Sequence, residues 1–261
     1  MINIERGKLL AEITDLANFA GNEILRIYHR DLKIRKKSDN SPVTEADEAA
    51  EKIILAGLRR LTPNIPVIAE EEISKGNFID VGDKPFWLVD PLDGTKEFIA
   101  NRNEYTVNIG LIENTKPTMG VVFAPALDQC FSADGTGTAI KRTQNSEPQL
   151  INARKLPKSE IIVTASRSHG DPKEMSKLLK DYTFSKILVS GSSIKFCLIA
   201  SGEADIYPRY GPTNEWDTAA GHAILAAAGG SVKTIHNQEL TYGKDKFKNP
   251  EFIAYGNKTE S

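Results

Sequence analysis

Residues 87–98 read WLVDPLDGTKEF, an apolar run that ends in two acids three positions apart. Carboxylates carried into a core without partners are costly, so the chain must either leave the core at Asp90 or meet cations there. Asp90-Pro91 and Asp93-Gly94 are both good turn dipeptides, and the spacing therefore predicts a turn closing a buried strand. Three other segments repeat the pattern of acids at the ends of apolar stretches: Asp47 near a helix start, Glu70 to Glu72 after VIA, and Asp217 ahead of the last helix. Taken singly, each has a plain account. Asp47 reads as a helix cap, Glu70 to Glu72 as a solvated turn, and Asp217 as an acid favoured by a helix dipole.

The rest of the chain sets these acids in an α/β frame. Apolar residues recur at helical spacing from Leu9 to Leu25, which predicts a long amphipathic helix over 4–29. Thr44, three residues before Asp47, opens a second helix in the manner of a capping box. EYTVNIGLIE and TMGVVFAPA read as strands joined through NTKP, followed by short strands in QCFSADG and GTAIKR. The polar stretch 143–160 is the expected internal boundary. Beyond it, strand-like IIVTAS, KILVS and ADIYP alternate with helix-like DPKEMSKLLKDY, SSIKFCLIASG and WDTAAGHAILAAAGG. Helices packed on sheets in layers, a mixed α/β fold, is the expected class.

With 261 residues and a net charge of -2, the chain lacks the basic stripe of a protein that coats nucleic acid. No stretch approaches the roughly 20 apolar residues of a membrane span, and no signal peptide is visible. Cys130 and Cys197 fit no metal or disulfide spacing and are expected as free thiols in a cytoplasmic protein. Peripheral association with the cytoplasmic face of the inner membrane is the alternative location.

Jointly, the acids point to chemistry. Strand ends that run into helix starts are where ligands gather in layered α/β folds. Carboxylates converging there repel one another unless hard cations join them, and Mg²⁺ prefers oxygen ligands. Four histidines with no paired spacing disfavour zinc. Leu92 can add a carbonyl oxygen, Gly94 lets the backbone approach an anion, and a helix starting near Thr95 would aim free N–H groups at it. Divalent ions clamping the attacking and leaving oxygens complete a metal-dependent phosphomonoesterase.

DPLDGT at 90–95 with WDTAAG at 216–221 resembles the signature pair of the inositol monophosphatase superfamily of Mg²⁺-dependent, lithium-sensitive phosphatases. AEEE at 69–72 and SPVTEAD at 41–47 are similar to its other elements, and Leu92 stands where isoleucine is commoner. The resemblance implies a layered αβαβα sandwich. Its N-terminal α+β unit, 1–150, would carry most metal ligands, and its C-terminal α/β unit, 151–261, would carry Asp217 and nucleotide specificity. It also implies that Glu70, Asp90 and the Leu92 carbonyl hold a first Mg²⁺, and Asp90, Asp93 and Asp217 a second. A third, weaker ion binds near Glu70 in some members. Glu70 and Thr95 would orient and deprotonate the attacking water, with Asp47 accepting from Thr95, and the Gly94 and Thr95 amides would cradle the phosphate. Glu70, Leu92, Asp93, Gly94, Thr95 and Asp217 would thereby also face the substrate.

GSSIKF at 191–196 and YPRYGPTNEWDTAAGH at 207–222 look most like the 3'(2'),5'-bisphosphate nucleotidase branch, which converts 3'-phosphoadenosine 5'-phosphate to AMP in sulfur metabolism. Lys195 and Arg209 are then expected on the non-reacting phosphate, and Ser168 and His169 in the nucleoside pocket. A solvated helix face for Lys195 and simple stacking on tyrosines for Arg209 are the bland accounts of the same residues. The substrate expected is a small phosphorylated nucleotide, with no nucleic-acid polymer and no obligate protein partner. An inositol monophosphatase, a sugar bisphosphatase and a non-catalytic nucleotide-binding protein are the rival readings.

Overall fold

A computed structural model describes residues 5–28, 34–37, 42–143, 146–166 and 183–258. The heptad-like apolar spacing near the N-terminus forms α1 (Arg6–Tyr28), which buries Leu9, Ile13, Leu16, Ala17, Ala20 and Ile24. A small antiparallel ribbon, β1 (Ile34–Lys36) with β2 (Pro42–Thr44), leads into α2 (Glu45–Leu61). Gly57 of α2 lies directly against the Leu16 side chain of α1, so the two helices pack closely.

Both helices cover one face of a seven-stranded sheet. Its strands are β3 (Val67–Ala69), β4 (Phe86–Asp93), β5 (Thr106–Glu113), β6 (Lys116–Ala124), β7 (Gln129–Ala133), β8 (Ala139–Arg142) and β9 (Gln149–Ile151), neighbours in chain order. Two short helices leave its strand ends, α3 (Glu70–Ser74) after β3 and α4 (Thr95–Ile99) after β4. Within this sheet, β3 and β4 are the one parallel pair among the described strands. The hairpin between β5 and β6 turns on Asn114 and Thr115, at φ 51° and 63°, so Lys116 and Pro117 of the expected connection belong to β6 instead. Alternation along β4 sends Trp87 and Val89 toward α1 and α2, and Phe86 and Leu88 toward the opposite core. Trp87, fully buried, donates its ring N–H to the Thr62 hydroxyl at 2.9 Å, which satisfies the one polar atom it takes into the core.

The second half of the chain builds a five-stranded sheet from β10 (Ile161–Ala165), β11 (Phe184–Val189), β12 (Ile206–Arg209), β13 (Ser231–Thr234) and β14 (Phe252–Tyr255), in the order β11-β10-β12-β14-β13. The last two lie beyond the elements expected from the sequence: β13 carries no apolar run and only Val232 is fully buried in it, whereas β14 is a short, buried apolar run near the C-terminus. Helices α5 (Ile194–Ala200) and α6 (Ala219–Ala227) lie between the sheets and share one core with them, including Phe196, Tyr207, Trp216, Ile224 and Phe252. The result is a mixed α/β layered sandwich. The helix expected at 171–182 falls outside the described residues. Among those residues no helix is long and apolar enough to cross a membrane.

One contact fixes how the halves meet. Gly110 on β5 and Gly120 on β6 face α6, where a Cβ at 110 would lie 2.9 Å from the Ala219 Cβ and one at 120 would lie 2.5 Å from the Ala220 carbonyl oxygen. Two missing side chains let the helix rest on the bare sheet, and Asp217, just ahead of that helix, arrives beside the end of β4.

Candidate active site

No reverse turn follows Asp90-Pro91, although the Leu92 amide donates to Asp90 Oδ1 at 3.0 Å as in an Asx-turn. The chain stays in β4 through Asp93, and the irregularity is a bulge: Asp90 pairs with Asn108 and Asp93 with Thr106, so Pro91 and Leu92 together oppose Val107. The physical reason lies in strand periodicity. Residues three apart on a regular strand point to opposite faces, and one extra residue restores them to the same face. Leu92 records the change of phase, since it joins Trp87 and Val89 in the core beneath α1 and α2. Pro91 carries no N–H and is tolerated at such a site. The direction of the chain then changes at Gly94, whose φ of 95° is open to glycine at little cost, and α4 begins at Thr95.

Around this bulge the other segments converge. Oxygens of Glu70, Asp90 and Asp217 lie within 4.8 Å of one another, brought from the start of α3, the end of β4 and the turn before α6. They open, with Leu92, Asp93, Gly94 and Thr95, into a cavity of about 250 Å³. Burial first, and then Glu70, Asp93 and Asp217, push the Asp90 carboxyl well above its ordinary value. Asp217 is pushed up to about 8 by burial and then by Asp93 and Glu70. A half-buried all-oxygen group whose members cannot comfortably ionise together fits a hard divalent cation, and offers nothing to a soft one.

Asp47 combines the two roles that looked like alternatives in the sequence. Its Oδ2 closes the capping box of α2, accepting from the Thr44 amide at 2.8 Å and the Thr44 hydroxyl at 2.7 Å. Its Oδ1 accepts the Thr95 hydroxyl at 3.1 Å, with the Leu92 carbonyl 3.2 Å from the same hydroxyl. Burial pushes Asp47 up to about 6.

Lys37 was not singled out by the sequence, where it is one of three basic residues in RKK. Its ammonium bonds Glu70 Oε1 and Glu71 Oε1, each at 2.6 Å. Burial alone would lower this group, but the two carboxylates outweigh it and hold it above the usual lysine value. Nor do Glu70 to Glu72 form a solvated turn. They open α3, with Glu71 buried and its amide donating to Glu51 at 2.8 Å. Burial pushes Glu51 up to about 7.

The far wall of the cavity is basic and aromatic. Lys195 is 3% exposed, contrary to a solvated helix face, and donates to the carbonyls of Ser192 at 2.5 Å and Ser190 at 3.3 Å. It lies 5.1 Å from the centre of the Tyr207 ring, and burial pushes it down to about 8. Arg209 donates to the Pro212 carbonyl at 2.8 Å, while its Nε has no hydrogen-bond partner among the described residues. Thr213, missed by the sequence reading, lines the same wall with its hydroxyl likewise unpartnered among the described residues. Ser168 and His169 lie outside the described residues.

The chain matches the inositol monophosphatase family over residues 6–258 and belongs to it. Among its relatives, the 3'(2'),5'-bisphosphate nucleotidase CysQ of Escherichia coli (strain K12) is 44% identical over 247 residues, covering 94% of this chain and 98% of that protein. The protein of the same name from Buchnera aphidicola is 45% identical over 253 residues, or 95% and 93% of the two chains. The crystal structure of CysQ from Bacteroides thetaiotaomicron superposes with a TM-score of 0.79 at 36% identity, over 97% of this chain and 98% of that one. An inositol monophosphatase from Anabaena, at 24% identity and a TM-score of 0.76 over 96% and 91% of the chains, shares the fold.

Proposed function

We propose that this chain is a Mg²⁺-dependent 3'(2'),5'-bisphosphate nucleotidase that hydrolyses the 3'-phosphate of 3'-phosphoadenosine 5'-phosphate, releasing AMP and phosphate. The convergence of Glu70, Asp90 and Asp217 within 4.8 Å beside the Thr95–Asp47 hydrogen bond carries the reaction class. The substrate is drawn from the CysQ relatives, which match over nearly the whole chain.

In this reading Glu70, Asp90 and the Leu92 carbonyl hold one Mg²⁺, and Asp90, Asp93 and Asp217 a second. Bound there, the ions polarise the phosphoryl group and lower the pKa of water. The chain's own groups do the rest. Thr95 and Glu70 orient the attacking water and take its proton, and Asp47 fixes the Thr95 hydroxyl by accepting from it at 3.1 Å. The Gly94 and Thr95 amides face the phosphate oxygens. Water attacks phosphorus as the bond to the ribose 3'-oxygen breaks, and that oxygen leaves as an alkoxide that takes a proton from solvent to become the nucleoside hydroxyl. Lys195 and Arg209 grip the 5'-phosphate on the opposite wall, Arg209 through its planar fork of donors. The same reading places the enzyme in the cytoplasm, where Cys130 and Cys197, both buried and free, persist as thiols.

The test is phosphate release from 3'-phosphoadenosine 5'-phosphate, inositol 1-phosphate and fructose 1,6-bisphosphate, each with and without Mg²⁺. Strong preference for the nucleotide, lost in EDTA, is the expected result. Preference for inositol 1-phosphate would remove the substrate assignment and leave the reaction class standing.

A further inference from the structure

Asn108 and Ser193 sit 85 residues apart, in different halves of the chain, and meet at 2.6 Å behind Asp93. Asn108 is 0% exposed and Ser193 is 2% exposed. The Asn108 amide donates to the Ser193 hydroxyl, which donates in turn to Asp93 Oδ2 at 2.8 Å, with the Asp217 carbonyl oxygen 3.3 Å away as a second acceptor. Asn108 also lies 3.4 Å from Asp93 Oδ2 and is the cross-strand partner of Asp90. One small network thus touches three of the acids through which the site would hold cations, and joins the bulged strand to the turn before α6.

Two features set this network apart from ordinary packing. The Asn108 Oδ1 is buried with no hydrogen-bond partner among the described residues, a cost that an apolar residue on the same sheet face would avoid. Only the donor end of the amide is in use, and it is aimed at Ser193 and Asp93. In addition, Ser192 adopts a left-handed φ of 49°, unfavourable for a residue with a side chain, at the point where the chain turns to bring Ser193 over the acids.

We propose that Asn108 and Ser193 are positioning residues for the second cation. They occupy Asp93 Oδ2 and so turn Oδ1 toward Asp90 and Asp217, against the repulsion those carboxylates exert on a free side chain. The inference rests on the metal-dependent reading of the site. Partners of this kind behind a ligand commonly account for 10–100-fold in metal affinity.

The test measures melting temperature against Mg²⁺ concentration, starting from EDTA, for the wild type and for Ser193→Ala, Asn108→Ala and the double variant. Mg²⁺ affinity is read a second time by calorimetry. Half-saturating Mg²⁺ is expected to rise about tenfold in each single variant. The double variant should be little worse than the poorer single one, because both act through one carboxylate. Ser193→Thr, which keeps a hydroxyl, should recover part of the affinity. Half-saturation within twofold of wild type in the folded single variants would overturn the proposal. So would melting temperatures lowered equally in EDTA and at every Mg²⁺ concentration, which is the mark of a simple strut. If Ser193→Ala does not fold, Asn108→Ala decides by the same criterion. A wild type whose stability ignores Mg²⁺ would instead remove the metal reading itself.

Discussion

The two walls of the cavity handle buried charge in opposite ways. The acidic wall gathers Glu70, Asp90 and Asp217 within 4.8 Å of one another, and Asp90 and Asp217 are pushed upward even with the Lys37 ammonium on Glu70, so one lysine does not balance it. The basic wall holds Lys195 capped by two backbone carbonyls and set over the Tyr207 ring, with Arg209 beside it, so most of the Lys195 donors are met internally. One wall asks for a cation and the other can release a donor to an anion. In the proposed reading, that difference puts the reacting phosphate on the first wall and the distant phosphate on the second.

The largest effect should come from breaking the acidic wall. Asp90→Asn should lower kcat/KM in Mg²⁺ by about a thousandfold or more, each ~1.4 kcal/mol of lost transition-state stabilisation being a factor of ten. The same change should raise the melting temperature in EDTA, since it removes a repelled charge. Activity kept within a few-fold of wild type would dissolve the contrast between the walls.

The basic wall should respond more gently and only to the right substrate. Lys195→Ala or Arg209→Ala should raise KM for the 3',5'-bisphosphate about tenfold to a hundredfold, as expected for hydrogen bonds to charged groups worth ~1.5–3 kcal/mol. Turnover of a nucleoside 3'-monophosphate, which lacks the distant phosphate, should hardly change. Equal losses on both substrates would move these residues away from the second phosphate.

The smallest effect concerns pH. An acid whose folded pKa is raised favours the fold fully below its unfolded value near 4 and loses that contribution as pH climbs through the folded one. Asp217 at about 8 and Glu51 at about 7 behave this way. His222, pushed down to about 3 by burial, opposes them only below about 6.5, and Lys195 enters only above about 8. Between pH 6.5 and 8 the metal-free protein should therefore lose on the order of 1 kcal/mol of stability, and saturating Mg²⁺ should flatten the slope. Thermal unfolding in EDTA across that window checks the sign, and a stability that climbs would contradict the convergence of the acids.

The same contrast explains what could be read from the sequence. Asp47, Glu70, Asp90, Asp93 and Asp217 stood out because each follows a change of hydrophobic period, and the layered α/β class followed from those same changes. The bulge did not, because Asp-Pro and Asp-Gly are turn dipeptides and only the pairing with Asn108 and Thr106 shows that the strand continues. Lys37 and the Asn108–Ser193 pair were invisible for a different reason. Their partners lie 15 to 100 residues away, and no local pattern encodes a contact made by tertiary packing. Lys195 was legible as a residue but not as a buried one, since the helix that carries it is short and apolar nearly all round.

Gly110 and Gly120 give the site a property that none of its charged residues supplies. They are the bare floor on which α6 rests, so the gap between Asp217 and Asp90 depends in part on how closely the two backbones approach. A methyl group at position 110 would act as a shim: the helix would ride up, Asp217 would travel with it, and Asp90, anchored in the sheet, would stay. The width of the cavity's acidic mouth is thus a tunable dimension. Graded shims at 110 and 120 should let cations of different radius be favoured in turn, with every ligand left untouched.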